Sequence, residues 1–189
     1  MKKTMAFILF LTFFSLPVFS QSGNIFGIWT VKSELDEFGD PTGGKYITTL
    51  VPIKGTFSDS ANNNASLNVT IKVISRGNSK EIIITPYLGA RNVPGIPFGS
   101  RREYSVAVRD NSGETFRSLV YLSRDKISFN FYNASQDNFT IMHNAFLKGG
   151  LIRIRMETDK DERNKESYSF DISNANQYAE AYAYLLSHQ

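Results

Sequence analysis

The chain has no cysteine among its 189 residues, two histidines and a single tryptophan. Without cysteine there is no disulfide framework and no thiol chemistry. His143 and His188 are the whole imidazole supply, and His188 stands one residue from the C-terminus, where chains fray. Zinc takes three or four His, Cys or carboxylate ligands, so one internal histidine supplies such a site poorly. No G-x-S-x-G occurs, and nucleophilic catalysis has little to stand on. His143 lies at helical spacing from Phe139 and Phe146, which points to a half-buried structural ring rather than a general base.

A strong charge of one sign is also missing. The 21 basic and 18 acidic residues give a net charge of +3. Part of that belongs to the first twenty residues, MKKTMAFILFLTFFSLPVFS, which pair Lys2 and Lys3 with an apolar run from Met5 to Leu16 and a small-residue end. This reads as a secretory signal peptide cleaved before Gln21. Its apolar run is about a dozen residues, whereas a membrane-spanning helix needs roughly 20. No comparable run follows, so no membrane span is expected once the leader is removed. With no cysteine after the run, lipid attachment at an N-terminal cysteine is excluded. Loss of Lys2 and Lys3 leaves 19 basic residues against 18 acidic ones, a net charge of +1. No cationic stripe remains for a phosphate backbone, and nucleic acid is not an expected partner. The expected location is periplasmic or secreted, with residues 21–189 as a single β-rich domain able to bury its own core.

Alternation dominates what is present. Leu67, Val69, Ile71 and Val73 interleave with Asn68, Thr70 and Lys72, the period-two pattern of a strand with one buried face. Similar strands are predicted at Phe26–Glu34, Lys45–Phe57, Glu81–Tyr87, Glu103–Arg109, Thr115–Leu122, Lys126–Tyr132, Leu151–Glu157 and Ser167–Ile172. Asp110–Glu114 and Ser123–Asp125 supply short turns. In Leu151–Glu157 the arginines 153 and 155 fall on the face opposite Ile152, Ile154 and Met156, a solvated face rather than a phosphate site. Helical spacing replaces alternation twice. Asn138–Lys148 carries Phe139, Met142, Phe146 and Leu147, followed by Gly149-Gly150 where a left-handed cap would sit. Ser173–Ser187 carries Ala175, Tyr178, Ala179, Tyr182, Leu185 and Leu186, with Ser173 as expected N-cap. The predicted fold is mainly β: an antiparallel β-sandwich or partly open barrel, with one short internal helix and a C-terminal helix packed on the sheet.

Two stretches stand out as candidate sites. In Asp36–Ile47, DEFGDPTGGKYI, the carboxylates of Asp36, Glu37 and Asp40 offer oxygen ligands to Ca²⁺, although the spacing is not that of an EF-hand loop. The other reading is a Pro-initiated turn through Phe38–Pro41, with Gly43-Gly44 releasing the chain into a strand at Lys45. The second stretch, Tyr87–Arg102, is the longest without alternation. It combines Arg91, Arg101 and Arg102 with Val93, Ile96 and Phe98. Arg91, Ile96, Phe98, Arg101 and Arg102 would suit a protein or anionic glycan of the cell envelope; the same loop could instead fold Ile96 and Phe98 over a sheet end. Paired carboxylates are the one enzymatic route left open, with Asp36, Glu37, Asp40, Glu81 and Glu103 as candidates.

Trp29, Asp36, Phe38, Gly39, Asp40, Pro41, Thr42 and Tyr46, then Gly55, Phe57, Ser58, Ser60, Ala61 and Leu67, resemble the front of a family of small exported proteins. That family is mostly bacterial, common in the Bacteroidetes and without an assigned activity. The close YSFDISNANQYAEAYAYL, with Phe170, Ile172, Ala181 and Leu185, is similar to the strand-then-helix end of two periplasmic groups. These are the accessory proteins of type VI secretion and the invasion-associated B-type proteins, which often carry cysteine pairs that this chain lacks. The likeness implies a shared build rather than a shared task. The sequons at Asn64, Asn68, Asn133 and Asn138 are set aside, because leader and likeness are both bacterial. The expected function is that of an exported, non-enzymatic binding or accessory module, with a carboxylate-dependent glycan hydrolase as the alternative.

Overall fold

The computed structural model describes residues 23–77, 79–88, 91–92, 101–123, 126–130, 138–158 and 165–189, without the side chains of 91–92, 101–102, 121–123 and 126–130. The leader, Val93, Ile96 and Phe98, the turn at Arg124 and Asp125, the end of the Lys126–Tyr132 strand and most of the Thr158–Glu166 loop lie outside the described residues.

The described strands are β1 (Asn24–Phe26), β2 (Trp29–Leu35), β3 (Pro41–Thr49), β4 (Ile53–Ser58), β5 (Ala65–Arg76), β6 (Ser79–Leu88), β7 (Arg91–Asn92), β8 (Arg101–Arg109), β9 (Thr115–Ser123), β10 (Lys126–Asn130), β11 (Ile152–Thr158) and β12 (Ser167–Ile172). Two helices, α1 (Asn138–Lys148) and α2 (Tyr178–Ser187), complete them. The mainly β, antiparallel expectation is met, and the pairing favours the barrel over the sandwich. Neighbouring strands run β4, β5, β6, β10, β9, β8, β11, β12 and back to β4, every pair antiparallel. β1, β2 and β3 open out of this circuit as a flange.

The single strand expected over Lys45–Phe57 is two. β3 lies along the C-terminal half of β5 through Ile47 and Thr48, and β4 along its N-terminal half through Ile53–Phe57. At the step between them Ile71 meets no backbone ladder on that side. The Thr48 hydroxyl donates to its carbonyl at 2.8 Å, and its amide donates to the Thr49 hydroxyl at 3.3 Å. Side chains thus satisfy the backbone groups that the break exposes, so the step can be buried. The strand expected over Phe26–Glu34 is likewise split, into the β1–β2 hairpin.

Alternation places the core as expected. Leu67, Val69, Ile71 and Val73 of β5 and Ile152, Ile154 and Met156 of β11 are fully buried, and they join one continuous apolar cluster. Arg153 and Arg155 face outward and pair with Asp171 across the β11–β12 ladder, at 3.6 and 2.8 Å. Apolar inside and charged outside is the inverse of a lipid-facing barrel. No described helix is long and apolar enough to cross a membrane.

α1 packs across β6, β8, β9 and β10 through Phe139, Met142, Ala145 and Phe146. Its end is the expected one: Gly149 is left-handed and donates to the Phe146 carbonyl. Leu147, placed on the stripe from sequence, is instead exposed. α2 begins five residues later than expected, with Gln177 rather than Ser173 at its N-cap and Tyr178, Ala181 and Leu185 as its buried stripe. The reason is local. Ala175 N–H donates to the Gly150 carbonyl, Asn176 accepts from Gly150 N–H, and the Trp29 indole donates to the Ala175 carbonyl. These bonds tie residues 175–176 to the α1–β11 connection and keep them out of the helix. The frame shift leaves Ala179 and Leu186 exposed. Trp29, Phe146 and Tyr178 meet pairwise at 5.1–5.2 Å between ring centroids, joining the flange to both helices.

Candidate functional site

The β2–β3 and β8–β9 hairpins turn through the same sequence pattern, Asp-x-x-Gly-acid: Asp36–Asp40 and Asp110–Glu114. Their hydrogen bonds correspond one for one. The leading aspartate Oδ1 accepts from the amides two and four residues on, at 2.9 Å and 2.9 Å in the first loop and 2.9 Å and 3.0 Å in the second. The aspartate backbone closes on the last residue and on the glycine in both. Gly39 and Gly113 take φ of +90° and +87°, a region that strains any residue with a Cβ. The turn is therefore closed by Asp36, not initiated by Pro41. β3 already begins at Pro41, opposite Leu35, and Gly43 and Gly44 sit within the strand. The carboxylate of Asp36 is used by its own backbone. Among the described residues no group of three or more His, Asp or Glu gathers where a metal ion could be held.

The two loops differ in what they face. Asp110 is 3% exposed and its Oδ2 accepts from Lys148 at 2.5 Å; Lys148 also reaches Glu114 at 2.6 Å. Burial alone would push the Asp110 carboxyl up. The Lys148 ammonium and the Ser112 hydroxyl and amide hold it below the usual carboxylate value. The hydrogen bond from Lys148 to Asp110 in turn raises the lysine. Asp36, Glu37 and Asp40 face solvent. Ser112 closes its own loop by donating to Asp110 at 2.6 Å, whereas the equivalent residue of the first loop is Phe38, 83% exposed. The turn needs Asp36 and Gly39; it has no internal use for that phenyl ring. Beside the turn is a shallow recess of about 240 Å³ lined in part by Lys32, Ser33, Pro41, Lys45 and Tyr184; Lys45 meets Tyr184 on the α2 side, whereas Lys32, opposite Tyr46, projects from the other side of the flange.

The described backbone of the arginine stretch lies at the other end of the barrel. Arg91 pairs with Leu88, which pairs with Leu67 at the start of β5, and Arg101 pairs with Ser123 at the end of β9. The backbones of Arg91, Arg101 and Arg102 therefore meet one rim. The Asp36 turn runs out past the opposite end of β5, whose 12 residues span roughly 35 Å. The described residues of the two candidate stretches do not form one surface. Just inside the rim, Tyr104 donates to Glu166 at 2.6 Å and Tyr168 to the same oxygen at 3.4 Å, with Phe57 packed on Tyr168. Burial, then the neighbouring Tyr104 and Glu166, pushes the Tyr168 hydroxyl far up, so it stays protonated.

The remaining catalytic candidates are not brought together. Glu81 and Glu103 point outward on β6 and β8, with β10 and β9 between them. Three strand spacings put them about 14 Å apart, wider than the roughly 5–9 Å of paired glycosidase carboxylates. His143 is the structural ring expected, stacked on Phe139 with Nδ1 2.9 Å from the Tyr178 hydroxyl. His188, read as a frayed end, stacks on Tyr184 at 3.9 Å.

Sequence reasoning missed the Tyr104–Glu166–Tyr168 group and the isolation of Phe38. Alternation does turn Tyr104 and Tyr168 inward, but only the β8–β11–β12 register makes them neighbours. Comparison with protein families, with curated proteins and with solved structures finds no match to this chain.

Proposed function

We propose that the chain is an exported, non-enzymatic binding or accessory module of the bacterial cell envelope, periplasmic or secreted, that takes a protein or an anionic glycan at the β6–β8 rim. The observation that carries this reading is the convergence of the Arg91, Arg101 and Arg102 backbones at one end of a barrel packed with apolar side chains. A filled interior leaves the ends and connections as the places to meet another molecule. Guanidinium groups suit carboxylate, sulfate or phosphate groups on such a partner, through paired N–H donors. The leader-like first twenty residues and the resemblance to exported Bacteroidetes proteins support export.

The test is binding of the exported chain and its Arg91→Ala/Arg101→Ala/Arg102→Ala variant to envelope polysaccharide and envelope protein fractions of the source cell. The variant is expected to lose about tenfold or more in affinity for one fraction, with a strong salt dependence in the parent. Equal recovery of parent and variant from both fractions would remove the rim from the account.

A further inference from the structure

We infer that the β2–β3 hairpin is a self-association device: the Phe38 tip of one copy seats in the lysine-bearing recess of a second copy, and the reverse contact forms at the same time. The inference concerns the end of the molecule away from the arginine rim and does not rest on the function proposed for that rim.

Three observations point to a second copy as the occupant. The tip carries Phe38, 83% exposed, and Leu35, 45% exposed, ringed by the solvent-facing carboxylates of Asp36, Glu37 and Asp40. The recess beside it carries the opposite charge, from Lys45, and an aromatic wall from Tyr184, over whose ring the Lys45 ammonium lies. An acidic aromatic knob and a basic aromatic-walled recess are thus complementary in charge and in character.

Tip and recess also belong to one hairpin and adjoin each other, since Pro41, the first residue of β3 after the turn, lines the recess. A two-fold interface requires a patch that is complementary to itself. Two hairpins laid antiparallel about a two-fold axis would set each tip over the other's recess and satisfy both contacts at once. The comparison with the β8–β9 loop supplies the third argument. That loop has the same backbone and uses its x position, Ser112, internally; the β2–β3 loop spends the same position on an exposed aromatic, the residue type that anchors interfaces. A net charge near zero adds little repulsion between copies.

The charges allow a reciprocal test. Sedimentation equilibrium is run on the chain produced by export, from about 1 μM to about 1 mM, which covers weak self-association. The parent is expected to show a concentration-dependent dimer, and Phe38→Ala to weaken it about tenfold or more. Glu37→Lys/Asp40→Lys alone should be monomeric, because only Asp36 remains acidic and the net positive tip repels Lys45. Lys45→Glu alone should be monomeric, because its recess repels the acidic tip. Mixed one to one they should associate, since the reversed tip meets the reversed recess and the two unchanged partners meet each other. A parent that stays monomeric over the whole range overturns the inference. So does a dimer whose affinity Phe38→Ala leaves unmoved, or a mixture that fails to associate while both variants melt cooperatively. Phe38→Ala changes only an exposed side chain, so it tests the contact even if a charge reversal disturbs folding.

Discussion

Gly55 offers a sharp test of the closed barrel. It stands in β4 between Leu67 of β5 and Phe170 of β12, at the seam where the circuit joins its last strand to an early one. A Cβ at this position would lie 2.5 Å from the Ser169 carbonyl oxygen and 2.7 Å from the Phe170 Cβ. Ordinary contact begins near 3.4 Å, so β4 and β12 would have to part by close to an ångström. Neither strand can yield freely, because β12 is held by β11 and β4 by β5 on their far sides. Overpacking of this kind costs about 1–3 kcal/mol, offset by the roughly 0.5–1 kcal/mol that alanine gains over glycine in a strand. Taking the middle of each range, the net expectation for Gly55→Ala is a loss of about 1 kcal/mol, which for a chain of this size lowers Tm by roughly 2–4 °C. Urea titration by circular dichroism should show a lower midpoint with an unchanged slope. A Gly55→Ala chain as stable as its parent would mean that β4 and β12 are not in register at Phe170, and the barrel would have to be redrawn.

The paired loops predict unequal costs. Asp36→Ala should lose about 1 kcal/mol and Asp110→Ala about 2–3 kcal/mol, since only the second also removes the ion pair of a buried carboxylate with Lys148; equal losses in urea titration would contradict the difference between the loops. Stability should be flat from about pH 5 to about pH 9 and fall on both sides. The Asp110 carboxyl is held below its ordinary 3.8, so its contribution is complete above that value and is lost as pH falls through the folded value. Lys148 is held above 10.5 by Asp110, and its contribution is lost as pH rises through the folded value. Burial raises Tyr168 and Tyr178, which lose stability as pH climbs past about 10. Asp110→Asn should flatten the acid limb, as urea midpoints between about pH 2 and pH 6 would reveal. Trp29→Ala should cost about 3–5 kcal/mol, because the indole is fully buried against Phe146 and Tyr178. The parent's tryptophan emission should be blue-shifted and move red on unfolding, and an exposed-type spectrum in the folded chain would place Trp29 elsewhere.

The sequence was most legible where one residue's environment is set by its own strand. Alternation identified the inner face of β5 and β11 because period two follows from backbone geometry alone. It could not divide Lys45–Phe57, since the break depends on Thr48 and Thr49 replacing a ladder across from Ile71. The α2 stripe was misframed for a similar reason: Ala175 and Asn176 carry helical spacing in the sequence but are claimed by Gly150 from another element. At the Asp36 turn the residue types were informative and the obvious signal, proline, was the wrong one. The repeat of the pattern at Asp110–Glu114 was present in the sequence and would have identified the loop without coordinates.

The seam between β4 and β12 has a kinetic consequence. Gly55 and Phe170 are 115 positions apart, and the barrel cannot close until the second of them is available. Until then β4 and β11 present unsatisfied margins, the kind that recruit other chains. Synthesis or transport that pauses before Ser167 would leave the molecule sticky and open to proteases, so correct maturation depends on prompt arrival of roughly its final eighth.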